Sequence, residues 1–481
     1  MYLSALLKEL KHAPAPAVNM NGEVSFVTDD SRKAGPGCVF VCIEGARADG
    51  HTYAAAALEA GALCIVAQKD TGLQAQILVE DTRAAYALLC AAFFGHPARK
   101  LRLVGVTGTN GKTTTCVLLK EIFEAAGYKS GLIGTLKHMV GAEEFPAGLT
   151  APSTPDPWEL HGLFSKMAEA GCEYCFMEPT SQALDQRRLE GIAFQAAIFT
   201  NLTQDHLDYH GTFENYRDAK ARLFKQCELA LVNIDDESAE AMLAGSDARA
   251  VRYSIRSDAA DYTAKNVQYS PSGVLYELVG RSVIGRVRFA VPGAFSVYNS
   301  LAAACAALEL GLELPQVLKA LENFTGVCGR METVPTGTDY TVIIDYAHSP
   351  DGLENVLRAL RGTVQGRLIS VFGCGGDRDK TKRPIMGKLA AELSDIAVVS
   401  SDNPRSEDPD AIIADILAGI RSKANVLVEP DRRLAIQLAL RRARAGDVVL
   451  LAGKGQETYQ ILATGKIHLD EREIVREALG L

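Results

Sequence analysis

The sequence predicts an α/β protein of several domains, built on open parallel sheets. Residues Leu101 to Val104 form an apolar stretch that runs into Gly105-Val106-Thr107-Gly108-Thr109-Asn110-Gly111-Lys112-Thr113-Thr114-Thr115, and the apolar residues Val117, Leu118, Leu119, Ile122 and Phe123 follow. Strand, glycine-rich turn, then helix is the context that a phosphate-binding loop demands. Further apolar strands recur at 174–177, 196–199 and 229–233. Near the C-terminus the pattern repeats. Val371-Phe372 runs into Gly373-Cys374-Gly375-Gly376-Asp377-Arg378-Asp379-Lys380, Ile396 to Val399 into Asp402-Asn403-Pro404-Arg405, and Val448 to Leu451 into Gly453-Lys454-Gly455-Gln456-Glu457. Ligands of open parallel sheets lie beyond the carboxyl ends of the strands, so these loops predict a second ligand-binding crevice.

The glycine-rich turn supplies the chemistry of phosphate binding. Backbone N–H groups freed by small residues wrap phosphate oxygens, and the helix N-terminus adds a favourable dipole. Lys112 is placed to reach the β/γ-phosphates and the Thr113 hydroxyl to ligate Mg²⁺. The turn departs from the general pattern in one place: Val106 stands five residues before Gly111, and Gly105 is one residue too early.

Composition bounds the rest. A chain of 481 residues, 47% hydrophobic and 23% charged, fits two to four ordinary globular domains. A net charge of -9 argues against a surface that coats nucleic acid. The opening Met1 to Leu10 has apolar residues at helical spacing interrupted by Lys8 and Glu9, which reads as an amphipathic helix rather than a secretory segment. No run approaches a membrane span. The 11 cysteines are scattered through apolar segments, as expected of reduced thiols in a cytoplasmic protein. Cys172 and Cys175 have metal-ligand spacing, but no second pair completes a zinc site.

Along the chain, Val39 to Ile43 reads as a strand, Tyr53 to Ala60 as a helix and Ala62 to Ala67 as a strand. Boundaries near the Arg99-Lys100 pair and Gly329-Arg330 divide the chain into segments 1–97, 98–327 and 328–481. The middle segment holds the phosphate-binding loop and a β-rich stretch over 249–292. Within it, Glu178 ends one strand, Asn201 to Asp208 follows the next, and Lys220 lies on the helix after that. An acid, a histidine (His206) and a loop threonine at neighbouring strand ends suit Mg²⁺ bridging phosphate oxygens. Each also has an ordinary structural explanation: a strand-end charge for Glu178, a satisfied histidine for His206, a solvated helix lysine for Lys220.

Taken together these segments resemble the ATP-dependent Mur ligases of bacterial cell-wall synthesis, over essentially the whole chain. The resemblance is carried by Thr107 to Thr114, Asn201 to Asp208, Pro292-Gly293-Ala294-Phe295 with Asn299, Cys328-Gly329-Arg330-Met331-Glu332, and Asp345-Tyr346-Ala347-His348-Ser349-Pro350. Asp30-Ser31-Arg32 with Asp49-Gly50-His51 is similar to the member that adds the third peptide residue. The family implies three domains: an N-terminal α/β domain for the UDP-sugar, a central P-loop ATPase and a C-terminal Rossmann-like domain for the amino acid. It also implies a reaction. ATP phosphorylates the γ-carboxylate of D-Glu in UDP-N-acetylmuramoyl-L-alanyl-D-glutamate, and an amine displaces phosphate to form an amide.

The resemblance implies roles residue by residue. Gly108, Thr109, Asn110, Gly111, Lys112, Thr113 and Thr114 would bind ATP, with Asn299, Arg330 and Asp345 at adenine, ribose or phosphate. Lys112, Glu178, His206 and Lys220 would be the catalytic set, and Thr113, Glu178, His206 and Lys220, carbamylated by CO₂, would hold two Mg²⁺ ions. Ser31, Ala46, Arg47 and Ala48 would meet the UDP-sugar; Ser153, Thr154, Thr180, Gln186 and Arg188 would meet the sugar and peptide. Asp402-Asn403-Pro404-Arg405 is similar to the signature of ligases that take meso-diaminopimelate, with Arg378, Gly453 and Glu457 completing the pocket. An arginine fork recognises the distal carboxylate that lysine lacks. The alternative for Arg405 is a cap on a helix beginning near Asp410. Three departures stand out: Pro152 in place of a common Asn, and Gln182 and Gln456 in place of common histidines. None removes a phosphate or metal ligand. Small-molecule substrates, no nucleic-acid or membrane partner, and a monomer are expected. The competing assignments are a folylpoly-γ-glutamate synthetase, a P-loop switch protein and a non-catalytic scaffold.

Overall fold

A computed structural model of the chain describes residues 1–481 apart from 13, 14, 16, 46, 47, 146–152, 271, 272 and 423. The chain divides into two compact units, Met1–Tyr253 with Cys305–Gly311, and Ser254–Ala304 with Leu312–Leu481.

The first unit opens with a parallel four-stranded sheet, β1 (Phe26–Thr28), β2 (Cys38–Val41), β3 (Cys64–Ala67) and β4 (Gln76–Leu78), in that order. The expected strand Val39 to Ile43 stops at Val41, and the expected helix from Tyr53 begins as a 3₁₀ turn, Gly50–Tyr53, leading into Ala54–Glu59. Asp49 sets that turn by accepting from the His51 N–H. The amphipathic N-terminus forms only one α-turn, Leu3–Leu6, and a 3₁₀ turn, Leu7–Glu9; Leu3, Leu6 and Leu7 are buried.

The second sheet of this unit comprises β5 (Arg102–Thr107), β6 (Ser130–Ile133), β7 (His138–Val140), β8 (Glu143–Phe145), β9 (Tyr174–Met177), β10 (Phe194–Phe199), β11 (Cys227–Asn233) and β12 (Arg249–Ser254). Their spatial order is β12-β11-β10-β5-β9-β6-β7-β8, parallel except for β7 and β8. The order reverses at β5, which makes its carboxyl end the switch point where ligands bind. Register brings the strand ends level: Thr107 lies opposite Phe199, Gly105 opposite Met177, and Met177 opposite Ile133. Gly105 serves packing, since a Cβ there would lie 3.1 Å from the Phe194 ring and from Pro179. Behind the sheet, the helix Lys112–Ala125 sets Phe123 against Tyr174 and Phe176. Asp156 caps the helix Pro157–Glu169, whose Trp158 packs against Phe93 and Phe94.

The second unit begins with an antiparallel meander, β13 (Tyr262–Ser270), β14 (Gly273–Gly280) and β15 (Val283–Phe289). The β-rich expectation over 249–292 thus resolves into β12 and this meander. A sheet follows with β16 (Glu332–Val334), β17 (Thr341–Asp345), β18 (Leu368–Phe372), β19 (Ile396–Val399), β20 (Val426–Val428) and β21 (Val448–Ala452), in the order β16-β17-β21-β18-β19-β20. Only β16 runs antiparallel. The three strand-then-loop segments are therefore neighbours, β21-β18-β19, and their loops meet at one sheet end. A hairpin, β22 (Tyr459–Leu462) and β23 (Gly465–His468), lies beyond.

The loops of this sheet are tied by a buried cation. Arg383, fully buried, donates to both carboxylate oxygens of Glu407 at 2.8 and 3.0 Å and to Asp415 at 2.9 Å. Arg383 above all, with the Asp377 N–H, depresses Glu407 from the usual 4.5 to about 2. A carboxylate depressed in the folded state contributes stability above its unfolded pKa and loses it as pH falls through the folded one. Melting temperature should therefore drop between pH 4.5 and about 2, and Arg383→Met should lower it at pH 7 and flatten the drop. Calorimetry of both proteins across that window checks this; an unchanged slope would show that the pair does not carry it.

Candidate active site

The phosphate-binding loop closes over the end of β10. Gly108, at φ +146, is the residue that permits it: a Cβ there would lie 2.0 Å from Thr200 Oγ1 and 2.9 Å from the Asn201 carbonyl. The Thr109 N–H donates to the Asn201 carbonyl (2.8 Å), the Asn110 N–H to Asn201 Oδ1 (3.0 Å), and Thr200 Oγ1 to the Asn110 carbonyl (2.7 Å). Gly111, at φ +86, is the N-cap, so Lys112, Thr113 and Thr114 begin the helix. Lys112 Nζ donates to the carbonyls of Gly108 (2.9 Å) and Thr109 (2.7 Å), folded over the loop it is expected to serve.

Glu178, buried at the end of β9, is a hub. Its Oε2 accepts from the hydroxyls of Thr113 and Thr135, both at 3.0 Å, and its Oε1 from the Thr135 N–H at 2.9 Å. Gly134 makes room, since a Cβ there would lie 2.5 Å from Oε1. Carboxylate and hydroxyl oxygens at one point are the hard donors that Mg²⁺ prefers. Among the described residues no three His, Cys, Asp or Glu side chains gather as a metal cluster. A cation here would be held by Glu178 and Thr113 together with ligand oxygens.

Lys220 is not a solvated helix lysine. It lies on the helix Phe213–Ala221 and is 2% exposed, and its Nζ donates to the same Gly108 carbonyl at 2.9 Å. Burial first, then the nearby Lys112 ammonium, drives its pKa well below the ordinary value, with Asp205 opposing. His206 is not a core histidine either: it sits at φ +52, with its side chain 47% exposed and Nε2 3.4 Å from Asp205. Tyr216 stands between the two, 4.7 Å from Lys220 Nζ and 6.3 Å from the His206 ring, and its hydroxyl is 3.1 Å from Thr109 Oγ1.

The expected sugar and peptide residues form one network beside Glu178. Thr154 Oγ1 donates to the Glu178 carbonyl (2.6 Å) and accepts from the Thr180 N–H (3.0 Å). Arg188 donates to the Thr154 carbonyl (2.8 Å) and, by Nε and Nη2, to Gln186 Oε1 (3.1 and 2.7 Å). Ser153 Oγ is 2.7 Å from Thr135 Oγ1. Gln182 adjoins Ser181, and an imidazole at that corner comes from buried His210, whose Nε2 is 3.0 Å from Ser181 Oγ. Ser31 opens a 3₁₀ turn capped by Asp30. Ala46, Arg47 and Pro152 lie outside the described residues. The Ala48 carbonyl accepts from Gly45, and His51 fastens this loop by accepting from the Gln68 N–H (3.1 Å) opposite Asp49 (2.6 Å).

In the second unit, Asp345 at the end of β17 accepts from the N–H groups of Met331 (2.7 Å) and Ala347 (2.8 Å). Burial raises its pKa, with Arg330 and those two donors opposing. Arg330 stacks 4.7 Å from the Tyr346 ring, and its Nε is buried without a partner among the described residues. Asn299 is buried on the helix Ala294–Glu309. Gln456 packs under the Gly329 turn, where a Cβ would lie 2.1 Å from its nitrogen.

The loops after β18, β19 and β21 bring Arg378, Asp402 to Arg405, Gly453 and Glu457 together. Asn403 Nδ2 donates to Glu457 (2.8 Å), and Gly453, at φ +118, adjoins Asp402 Oδ2, a buried oxygen without a partner among the described residues. A Cβ on Gly375 would lie 2.9 Å from Arg405 Nη1 and 3.8 Å from Arg378 Cγ, so the two arginines flank that glycine. Arg405 holds φ +55 and its N–H donates to the Ile461 carbonyl (3.0 Å), while Nη1 donates to Gly376 (2.8 Å). The helix beyond, Pro409–Leu417, is capped by Asp408, not by Arg405. Thr135, Tyr216 and Lys454 escaped the sequence argument. Thr135 follows the end of β6 and Lys454 the end of β21, so both were open to the same strand-end logic, whereas Tyr216, on a helix, carries no such signal.

A P-loop at the switch point of one parallel sheet, beside a buried acid and hydroxyls, defines an ATP-binding α/β protein, and a second sheet carries polar loops at its strand ends. Family profiles match most of the chain's length: Mur ligase family, catalytic domain, over residues 23–99; Mur ligase middle domain over 106–307; and Mur ligase, glutamate ligase domain, over 329–455. The chain is 45% identical over 464 residues, 95% of each chain, to UDP-N-acetylmuramoyl-L-alanyl-D-glutamate–2,6-diaminopimelate ligase 1 of Clostridium acetobutylicum. It is 43% identical to the ligase of that name from Clostridium botulinum, covering 100% of this chain and 99% of that one. A solved structure of a UDP-N-acetylmuramoyl-L-alanyl-D-glutamate–2,6-diaminopimelate ligase superposes with a TM-score of 0.75 at 32% identity, over 100% of this chain and 99% of the other. The chain belongs to the Mur ligase family, with the three-domain α/β architecture of that family. No helix among the described residues is long and apolar enough to cross a membrane.

The close approach at Gly108 yields a test. A side chain there meets Thr200 and an unfavourable φ together, a strain of ~1–3 kcal/mol that falls on the loop. Gly108→Ala should fold yet bind ATP roughly ten- to a hundredfold more weakly. Calorimetric titration checks this, and an unchanged Kd would remove the loop from nucleotide binding.

Proposed function

We propose that this chain is an ATP-dependent amide ligase that joins meso-2,6-diaminopimelate to UDP-N-acetylmuramoyl-L-alanyl-D-glutamate, in the cytoplasm, as a step of peptidoglycan precursor synthesis. The observation that carries the reading is chemical. The P-loop threonine donates to the buried Glu178 carboxylate, the P-loop lysine folds over the same loop, and the loops after β18, β19 and β21 gather two arginines with Asp402 and Glu457. Segments 1–97, 98–327 and 328–481 would take the UDP-sugar, ATP and the amino acid respectively. The substrates are small molecules, and the protein works as a monomer.

Two anions must meet in the first step, and the residues serve that end. Lys112 turns from the Gly108 and Thr109 carbonyls to the β/γ-phosphates, while the loop N–H groups hold the remaining phosphate oxygens. The substrate carboxylate oxygen bonds to the γ-phosphorus as the bond to ADP breaks. The amine then bonds to the acyl carbon, loses a proton, and inorganic phosphate leaves. Arg188, held by Gln186 and Thr154, orients the sugar–peptide beside this point. Glu178, Thr113, His206 and carbamylated Lys220 would hold Mg²⁺, which supplies charge screening between nucleotide and carboxylate. Burial and the neighbouring Lys112 depress the pKa of this amine and so favour the neutral form that adds CO₂, and the adduct would exchange a cation that repels Mg²⁺ for an anionic ligand.

The amino-acid choice rests on Arg405. Its Nη1 is engaged with Gly376 and Asn403, whereas its Nε and Nη2 edge carries no hydrogen bond among the described residues, so a carboxylate fits bidentately. ADP release with UDP-N-acetylmuramoyl-dipeptide, comparing meso-diaminopimelate with L-lysine, tests the function; turnover is expected with the former. Arg405→Ala should lower kcat/KM for diaminopimelate by roughly tenfold to a few hundredfold with little gain for lysine. A wild type that prefers lysine, or a ratio unmoved by the substitution, overturns the assignment.

The second test concerns Lys220. Lys220→Ala should be nearly inactive and partly rescued by added formate or acetate, small carboxylates that fill the vacated ligand position. Full activity in the alanine variant would exclude carbamylation as a requirement.

A further inference from the structure

Lys454 is a buried cation that the reaction above does not use. Its two flanking glycines turn it inward: Gly453 and Gly455 hold φ of +118 and +54, and a Cβ on them would lie 2.8 Å from Asp402 Oδ2 and 2.7 Å from Tyr346 Cβ. The Lys454 side chain is fully buried. An ammonium removed from water requires an anion and acceptors around it. Lys454 Nζ finds both, donating to Glu457 Oε2 and to Asn403 Oδ1 at 3.1 Å each.

Asn403 closes the triangle, for its Nδ2 donates to the same Glu457 Oε2 at 2.8 Å. The Ile461 N–H also donates to Asn403 Oδ1, at 2.9 Å. The Asn403 oxygen thus faces two donors and its nitrogen an acceptor, so one amide orientation alone satisfies the group. On Glu457 both donors fall on Oε2, and Oε1 receives no hydrogen bond among the described residues. Lys454 and Asn403 together occupy Oε2 of this carboxylate as counter-ion and donor, and leave Oε1 in reserve.

We propose that Lys454 is a positioning residue of the amino-acid pocket, which anchors Glu457 by Oε2 and holds Asn403 in one orientation so that Glu457 Oε1 accepts from an ammonium group of the incoming diamino acid. The inference rests on the ligase function proposed above. Lys454 lies behind Glu457 and does not touch the substrate, so its loss acts on one substrate alone.

The test is the steady-state kinetics of the full-length chain, with KM measured separately for meso-diaminopimelate, ATP and UDP-N-acetylmuramoyl-dipeptide. Lys454→Met, of similar length without the charge, should raise the KM for diaminopimelate at least about tenfold and leave the other two within twofold. Should the methionine variant not fold, Lys454→Gln, which keeps a donor for Glu457, carries the same expectation. A diaminopimelate KM within twofold of wild type, or a rise shared by all three substrates, overturns the proposal. Wild-type protein without diaminopimelate-dependent ADP release would instead overturn the ligase function itself.

Discussion

The first unit depends on how closely the loop after β5 can approach the end of β10. Parallel pairing sets Thr107 level with Phe199, so the chain leaving β5 must pass directly over Thr200 and Asn201. Only a residue without a Cβ passes there, and Gly108 does so. Everything that follows inherits this placement. Thr109 and Asn110 are pinned to Asn201, the helix starts at Lys112, and Thr113 arrives beside Glu178. The Gly108 carbonyl is left pointing at two amines, those of Lys112 and Lys220.

Buried cations are the second theme, and each fixes a loop rather than a core. Lys220 reaches the underside of the phosphate loop, Arg383 joins Glu407 and Asp415, and Lys454 joins Asn403 and Glu457. Arg432 and Glu471, both without exposed side-chain area, pair beneath the end of β21. Such pairs add little net stability against apolar replacements, because desolvation offsets the attraction. What they confer is geometry at strand ends, where loops would otherwise have several arrangements of similar energy.

Much of this was legible from residues alone. The strand–loop–helix at 101–125 and the strand ends at 177, 199, 372, 399 and 452 follow from apolar runs interrupted by glycine and polar residues. That Thr113 meets Glu178, and that Arg378 and Arg405 come to flank Gly375, is in keeping with reading those runs as neighbouring parallel strands. Other features were illegible because their cause lies across the chain. The amphipathic pattern at Met1 to Leu10 is too short to sustain a helix and stops after two turns of mixed type. Gly105 looks like a displaced motif glycine, yet it answers to Phe194 and Pro179.

The sequence by itself determined the α/β class, the phosphate loop, several of the strands and the chemical types that follow their ends, because periodicity and glycine placement act locally. Tertiary structure alone decided which of those residues are buried and whom they face. Periodicity and composition alone do not separate Lys220 and Lys454 from surface lysines; only the family resemblance singles out Lys220. Packing removes both from water and gives each its specific acceptors. Desolvation depends on every neighbour at once, and no local pattern records it.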